Sequence, residues 1–253
     1  MNDVFVSKAA SANKIRILAE WVRREFSVHE SQGFDVIRFI ELDLPKIFPG
    51  IQTYIEADEK MGSVRAFISA DPLGLVVSES IYEGASNGCM FSTEIILHEA
   101  GHLFLHHKYA ALGLNSASGP YEERIKDAGL AHSAEWQATM FALCFLYPFP
   151  RLKKVKTASE VSEIYKVSKN QANRVLKHLN RLRVRTNSTD PVTDKIWLRT
   201  IAESLPRNNR QSSMSKLSSQ LLLFYGNIRT AQNFKRPVAA SCGGEIFLHG
   251  KTV

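Results

Sequence analysis

The sequence predicts an α+β fold: a core of helices with a small, mostly antiparallel sheet, followed by a small helical region. Three observations carry this. Apolar residues recur at helical spacing over residues 12–27 and 133–148, and they alternate over 51–58 and 64–70. Two capping boxes, Thr157-x-x-Glu160 and Ser168-x-x-Gln171, open a closely spaced helical pair. The charge divides sharply, residues 1–150 holding 12 Lys and Arg against 19 Asp and Glu, and residues 151–253 holding 20 against 6.

Taken in order, residues 12–27 place Ile15, Leu18, Ala19 and Val22 on one face of an amphipathic helix. A shorter helix over Asp35 to Leu44 turns Val36, Phe39 and Ile40 inward, and Pro45 and Pro49-Gly50 are expected to close it. Residues 51–58, 64–70 and 74–80 read as strands, with Asp71-Pro72-Leu73-Gly74 as the turn between the second and third. A last strand at the edge, beside the helix that follows, would let an extended peptide add to the sheet; a purely supporting sheet is the alternative.

The helix over Phe91 to Lys108 carries H-E-x-x-H at His98, Glu99 and His102. Residues four apart lie on one helical face, so two imidazoles can reach one metal ion, with Glu99 beside them to take a proton from a bound water. Ser92 or Thr93 can cap this helix, and Glu94 falls in its first turn. Such a centre usually takes a third protein ligand. Glu135 stands in the first turn of a buried helix over Ser133 to Pro148, capped by Ser133, and is preferred as that ligand over an ordinary first-turn acid. His106 and His132 are alternatives, and His106, His107, His132 and Tyr121 are candidates to stabilise an oxyanion. Between the two helices, Leu112 to Gly129 reads as a loop over the cleft or a plain connector.

The capping boxes then set out helix-turn-helix spacing over Thr157 to Arg181, with Val161, Ile164, Val167, Ala172, Val175, Leu176 and Leu179 as its small core. Lys169, Asn170, Gln171, Asn173, Arg174 and Lys177 are left for the surface of the second helix, suited to DNA phosphates, base edges or a partner protein. The stretches Asn187 to Pro191 and Asn208 to Ser215 look like connectors, Lys216 to Tyr225 like a short helix and Gly243 to Leu248 like a strand. The reading therefore divides the chain at 1–150, 151–185 and 186–253, the last without a familiar motif.

Cys89, Cys144 and Cys242 are widely spaced and odd in number, which argues against a disulfide framework or a cysteine metal site. The N-terminal MNDVFVSKAA has no signal-like apolar core, and no run reaches membrane-spanning length. A soluble, cytoplasmic protein with no membrane partner is expected. The net +14 of residues 151–253 points to an anionic partner such as DNA.

The pairing of His98-Glu99-Ala100-Gly101-His102 with Glu135-Trp136-Gln137-Ala138-Thr139-Met140-Phe141-Ala142, running on to Leu146-Tyr147-Pro148, resembles the ImmA/IrrE-type metallopeptidases. Thr139 stands where that family usually has Asn. The resemblance implies a zincin-like core, Zn2+ on His98, His102 and Glu135, and Glu99 as catalytic base. It also implies a zinc endopeptidase that cleaves a protein substrate, a transcriptional repressor, and so releases stress or mobile-element genes. The competing expectations are a DNA-binding regulator with a structural or inactive zinc site, and an antirepressor or toxin acting by contact.

Overall fold

The computed structural model describes residues 9–26, 34–110, 130–152, 154–185 and 191–206. The expected loop Leu112 to Gly129, the connector residues 187–190 and the segments placed within Asn208 to Leu248 lie outside the described residues.

Helix α1 (Ala12–Glu25) starts where the Ser11 hydroxyl accepts the Lys14 N–H at 3.3 Å, satisfying one of the free donors of the first turn. Ile15, Leu18, Ala19 and Val22 are fully buried, as the periodicity requires. The next stretch is continuous: α2 (Val36–Arg38), a wider turn of π geometry (Phe39–Asp43) and α3 (Leu44–Ile47). Pro45 therefore does not close this helix. It sits in the first turn of α3, where an N–H is not needed for intrahelical bonding, and the preceding π turn absorbs the mismatch.

Strand β1 (Gln52–Glu56), the single turn α4 (Asp58–Met61), β2 (Ala66–Ala70) and β3 (Leu73–Ser78) form one sheet of order β1-β3-β2. The sheet is mixed rather than mostly antiparallel, since β1 runs parallel to β3 and β2 antiparallel to it. The tight turn at Asp71-Pro72 makes a hairpin that claims one side of β3, and β1 takes the other, Tyr54 and Phe67 both pairing with Val76. The last strand is thus central, and β2 and β1 are the edges. β2 is the edge that packs on the long helix α6 (Met90–Ala110), which follows α5 (Glu79–Ser86).

Helix α6 begins earlier than a cap at Ser92 or Thr93 would allow. Both residues are buried inside its first turns, where the Thr93 hydroxyl donates to the Cys89 carbonyl at 3.0 Å. Glu94 consequently lies in the second turn. A short 3-10 turn (Leu130–His132) leads into α7 (Ala134–Leu146), capped by Ser133, whose hydroxyl accepts the Trp136 N–H at 3.0 Å. Then come α8 (Phe149–Leu152), α9 (Ala158–Tyr165), α10 (Lys169–Arg185) and α11 (Pro191–Ser204). The expected capping box at Ser168 and Gln171 forms reciprocally; at Thr157 the hydroxyl accepts the Glu160 N–H, while the Glu160 carboxylate takes the Lys156 N–H, one residue before the cap.

The most extensive helix packing is α6 on α7, with α1 on the other side of α7. Gly101 makes that packing possible, because a Cβ there would sit 3.1 Å from the Cα and carbonyl oxygen of Ala138. Around this contact Phe104 stacks on Phe141, ring centroids 5.4 Å apart, and Phe141, Phe145 and Phe39 continue the aromatic core. Val161, Val167, Ala172, Val175 and Leu179 of the α9–α10 pair belong to the same hydrophobic cluster as Ile15 and Phe104. No helix among the described residues is long and apolar enough to cross a membrane.

Candidate metal centre

The close approach of α6 and α7 brings one carboxylate against two imidazoles. His98 and His102 lie one turn apart on α6, their Nε2 atoms 3.2 Å from each other. Glu135, in the first turn of α7, places Oε2 at 3.2 Å from His98 Nε2 and Oε1 at 3.5 Å from His102 Nε2. The edge of a tetrahedron of ligands held about 2.0–2.1 Å from a central ion is about 3.3–3.4 Å. Three donors of nitrogen and oxygen thus stand at the mutual separation that one small cation requires, and the group can hold a metal ion.

The surrounding hydrogen bonds orient these donors. Thr139 Oγ1 lies 3.2 Å from His98 Nδ1, so the hydroxyl in place of asparagine still serves the first ligand. His102 Nδ1 faces His106 Nδ1 at 3.2 Å, and His106 Nε2 faces Gln137 Oε1 at 2.8 Å. Both ligand imidazoles therefore have their Nδ1 atoms engaged on the protein side and their Nε2 atoms turned towards Glu135.

The electrostatics follow from burial against neighbouring charge. Burial works to lower the His98 imidazole, but its hydrogen bond to Glu135 and the charges of Glu99, Glu135 and Glu94 outweigh it, and the net shift is upward. The imidazoles of His102 and His98, with their Nε2 atoms 3.5 and 3.2 Å from its oxygens, hold the Glu135 carboxyl well below the usual carboxylate range. Such a site attracts positive charge, whether a proton or a cation. Burial pushes the Glu99 carboxyl up, against the pull of His98 and His102 and with some help from Glu135. A carboxylate with a raised pKa is a better proton acceptor near neutrality than an exposed one.

The structure brings His98, Glu99, His102 and Glu135 together. His106 does not join the donor set. It is 2% exposed, and both its ring nitrogens face protein partners, which also removes it as an oxyanion stabiliser. His132 stands in the turn before α7 and outside the group as well. The side chain of His107, and Tyr121 altogether, lie outside the described residues. The resemblance already pointed to residue 139 as a hydrogen-bonding support, whereas His106 and Gln137 were not anticipated in that role; their positions on the inner faces of α6 and α7 were the available signal.

On the second helix of the α9–α10 pair, Lys169, Asn170, Asn173 and Lys177 are exposed on one side. Gln171 is not. It is buried at 9% exposure, because its side chain closes the capping box with Ser168. Arg174 is exposed as well, and its guanidinium Nη2 donates to Glu94 Oε1 of α6 at 2.5 Å, so it ties the helical pair to α6. Glu94 is buried enough that desolvation raises its pKa in spite of this partner. Comparison of the chain with protein-family models, curated proteins and solved structures gave no match.

Proposed function

We propose that the chain is a zinc-dependent endopeptidase that hydrolyses a peptide bond in a protein substrate. The observation that carries this reading is the donor set itself: two Nε2 atoms and one carboxylate at 3.2–3.5 Å from each other, with a second, half-buried glutamate beside them. Two imidazoles and a carboxylate suit zinc, and three protein ligands leave a position open for chemistry. Zinc bound there supplies Lewis acidity to a peptide carbonyl and lowers the pKa of water.

The chain's own residues do the rest. Glu99 takes a proton from the attacking water as its oxygen bonds to the carbonyl carbon, and returns that proton to the amine nitrogen as the C–N bond breaks. The charges of Glu99, Glu135 and Glu94 favour a cation at the face of α6 that carries His98. Edge strand β2, packed on α6, offers backbone groups to an extended substrate segment. The resemblance of the two motifs to ImmA/IrrE peptidases supports a transcriptional repressor as the substrate class.

Elemental analysis of protein purified without added metal tests the centre. One zinc per chain is expected in the wild type and none in Glu135→Ala; a wild type that takes up no zinc even when it is supplied removes the enzyme reading. Glu99→Gln should retain zinc and lose about 10²–10⁴-fold in cleavage rate, the usual worth of a positioned base. Cleavage at the parental rate in that variant would show that Glu99 is not the base.

A further inference from the structure

We propose that His106 and Gln137 are positioning residues that fix which nitrogen of His102 carries its proton, and so present a bare Nε2 to the cation. The inference rests on the metal-centre reading and deepens it. Its starting point is a backbone carbonyl, which can only accept. The Gln137 side-chain amide donates its Nε2–H to the Ala131 carbonyl at 2.7 Å, and this fixes the amide's orientation. The other end, Oε1, is then an acceptor, 2.8 Å from His106 Nε2. His106 must therefore carry its proton on Nε2.

A neutral imidazole protonated on Nε2 has a lone pair on Nδ1. That lone pair faces His102 Nδ1 at 3.2 Å, so the hydrogen between them belongs to His102. His102 protonated on Nδ1 has its lone pair on Nε2, the atom that faces His98 and Glu135. Every step runs in one direction, from Ala131 through Gln137 and His106 to His102. Gln137 and His106 are each 2% exposed, so solvent does not offer either of them an alternative partner. The same proton order on an exposed histidine would be one of two nearly equal tautomers.

Zinc affinity of the full chain, measured by competition with a chromophoric chelator, gives the first readout. Gln137→Met keeps the side-chain length and removes both ends of the amide. It is expected to bind zinc about 10–100-fold more weakly, the usual effect of deleting a hydrogen-bond partner behind a metal-ligating histidine. The second readout needs no variant of the relay and so survives a folding failure. In the zinc-free wild type labelled with nitrogen-15 at histidine, long-range NMR correlations, assigned with His102→Gln, should show the His102 proton on Nδ1. A proton on Nε2 of His102, or a folded Gln137→Met protein with wild-type zinc affinity, would overturn the proposal. A wild type that binds no zinc while His102 carries its proton on Nδ1 would uphold the proton order and sink the metal-centre reading, so the two failures are distinct.

Discussion

His106 sits in the native protein with its imidazole pushed down to about 4 by burial, against an ordinary value of 6.5. Between those values the unfolded chain binds a proton that the native one refuses, so native stability falls as pH drops from about 6.5 and levels off below about 4. The full effect is about 3 kcal/mol. Urea unfolding from pH 4 to 7 should show it, and His106→Leu should flatten the dependence over that window; an equally steep slope in the variant would assign the proton elsewhere. At this scale the candidate donor pair was legible in the sequence because helical spacing alone puts His98 and His102 on one face. Position 139 was legible as a support through the resemblance, but the roles of His106 and Gln137 were not, since each depends on how α6 is rotated against α7. Arg174 is on the surface as its place on a polar face required, but its ion pair with Glu94 of α6 was not legible, since only the packing brings the two side chains together.

Among the elements, the contact between α6 and α7 decides whether the centre exists at all. Glu135 belongs to one helix and the histidines to the other, so the donor separations are set by the interhelical distance. Gly101→Ala tests this. The new Cβ would meet backbone atoms of Ala138 and the Cβ of Phe141 at 3.1–3.2 Å, and packed backbone cannot yield without moving α7 as a whole. Alanine's better helix propensity recovers up to about 1 kcal/mol, against an overpacking cost of about 1–3 kcal/mol. A lower melting temperature with weakened zinc binding is expected; a variant as stable as the parent with unchanged affinity would show that the helices tolerate the separation. Helix existence was read well because long apolar periods and the Ser133, Thr157 and Ser168 caps act locally. Strand order was not, because alternation says which residues are strands and nothing about which strand lies in the middle. Helix α11 escaped notice although Pro191 at its first position and the Leu198, Ile201, Ala202 and Leu205 spacing mark it.

For the whole molecule, residues 1–150 carry a net negative charge and residues 151–253 a net positive one. The exposed side of α10 bears Lys169 and Lys177, with Asn170 and Asn173 between them, which is the composition of a phosphate-contacting surface. This predicts salt-dependent binding of a labelled DNA duplex, followed by fluorescence anisotropy at two ionic strengths. Replacing both lysines by alanine should reduce the slope of log affinity on log salt by about 2. Unchanged binding and slope in the double variant would clear this surface of a role. Gln171 and Arg174 are left out of that test because the fold already uses them.

One hydrophobic cluster joins α9 and α10 to α1, α6 and α7. The apolar side of the helical pair is thus also the wall of its neighbour, and cutting the chain at the junction would bare two raw faces to water, so neither piece would keep the solubility of the whole.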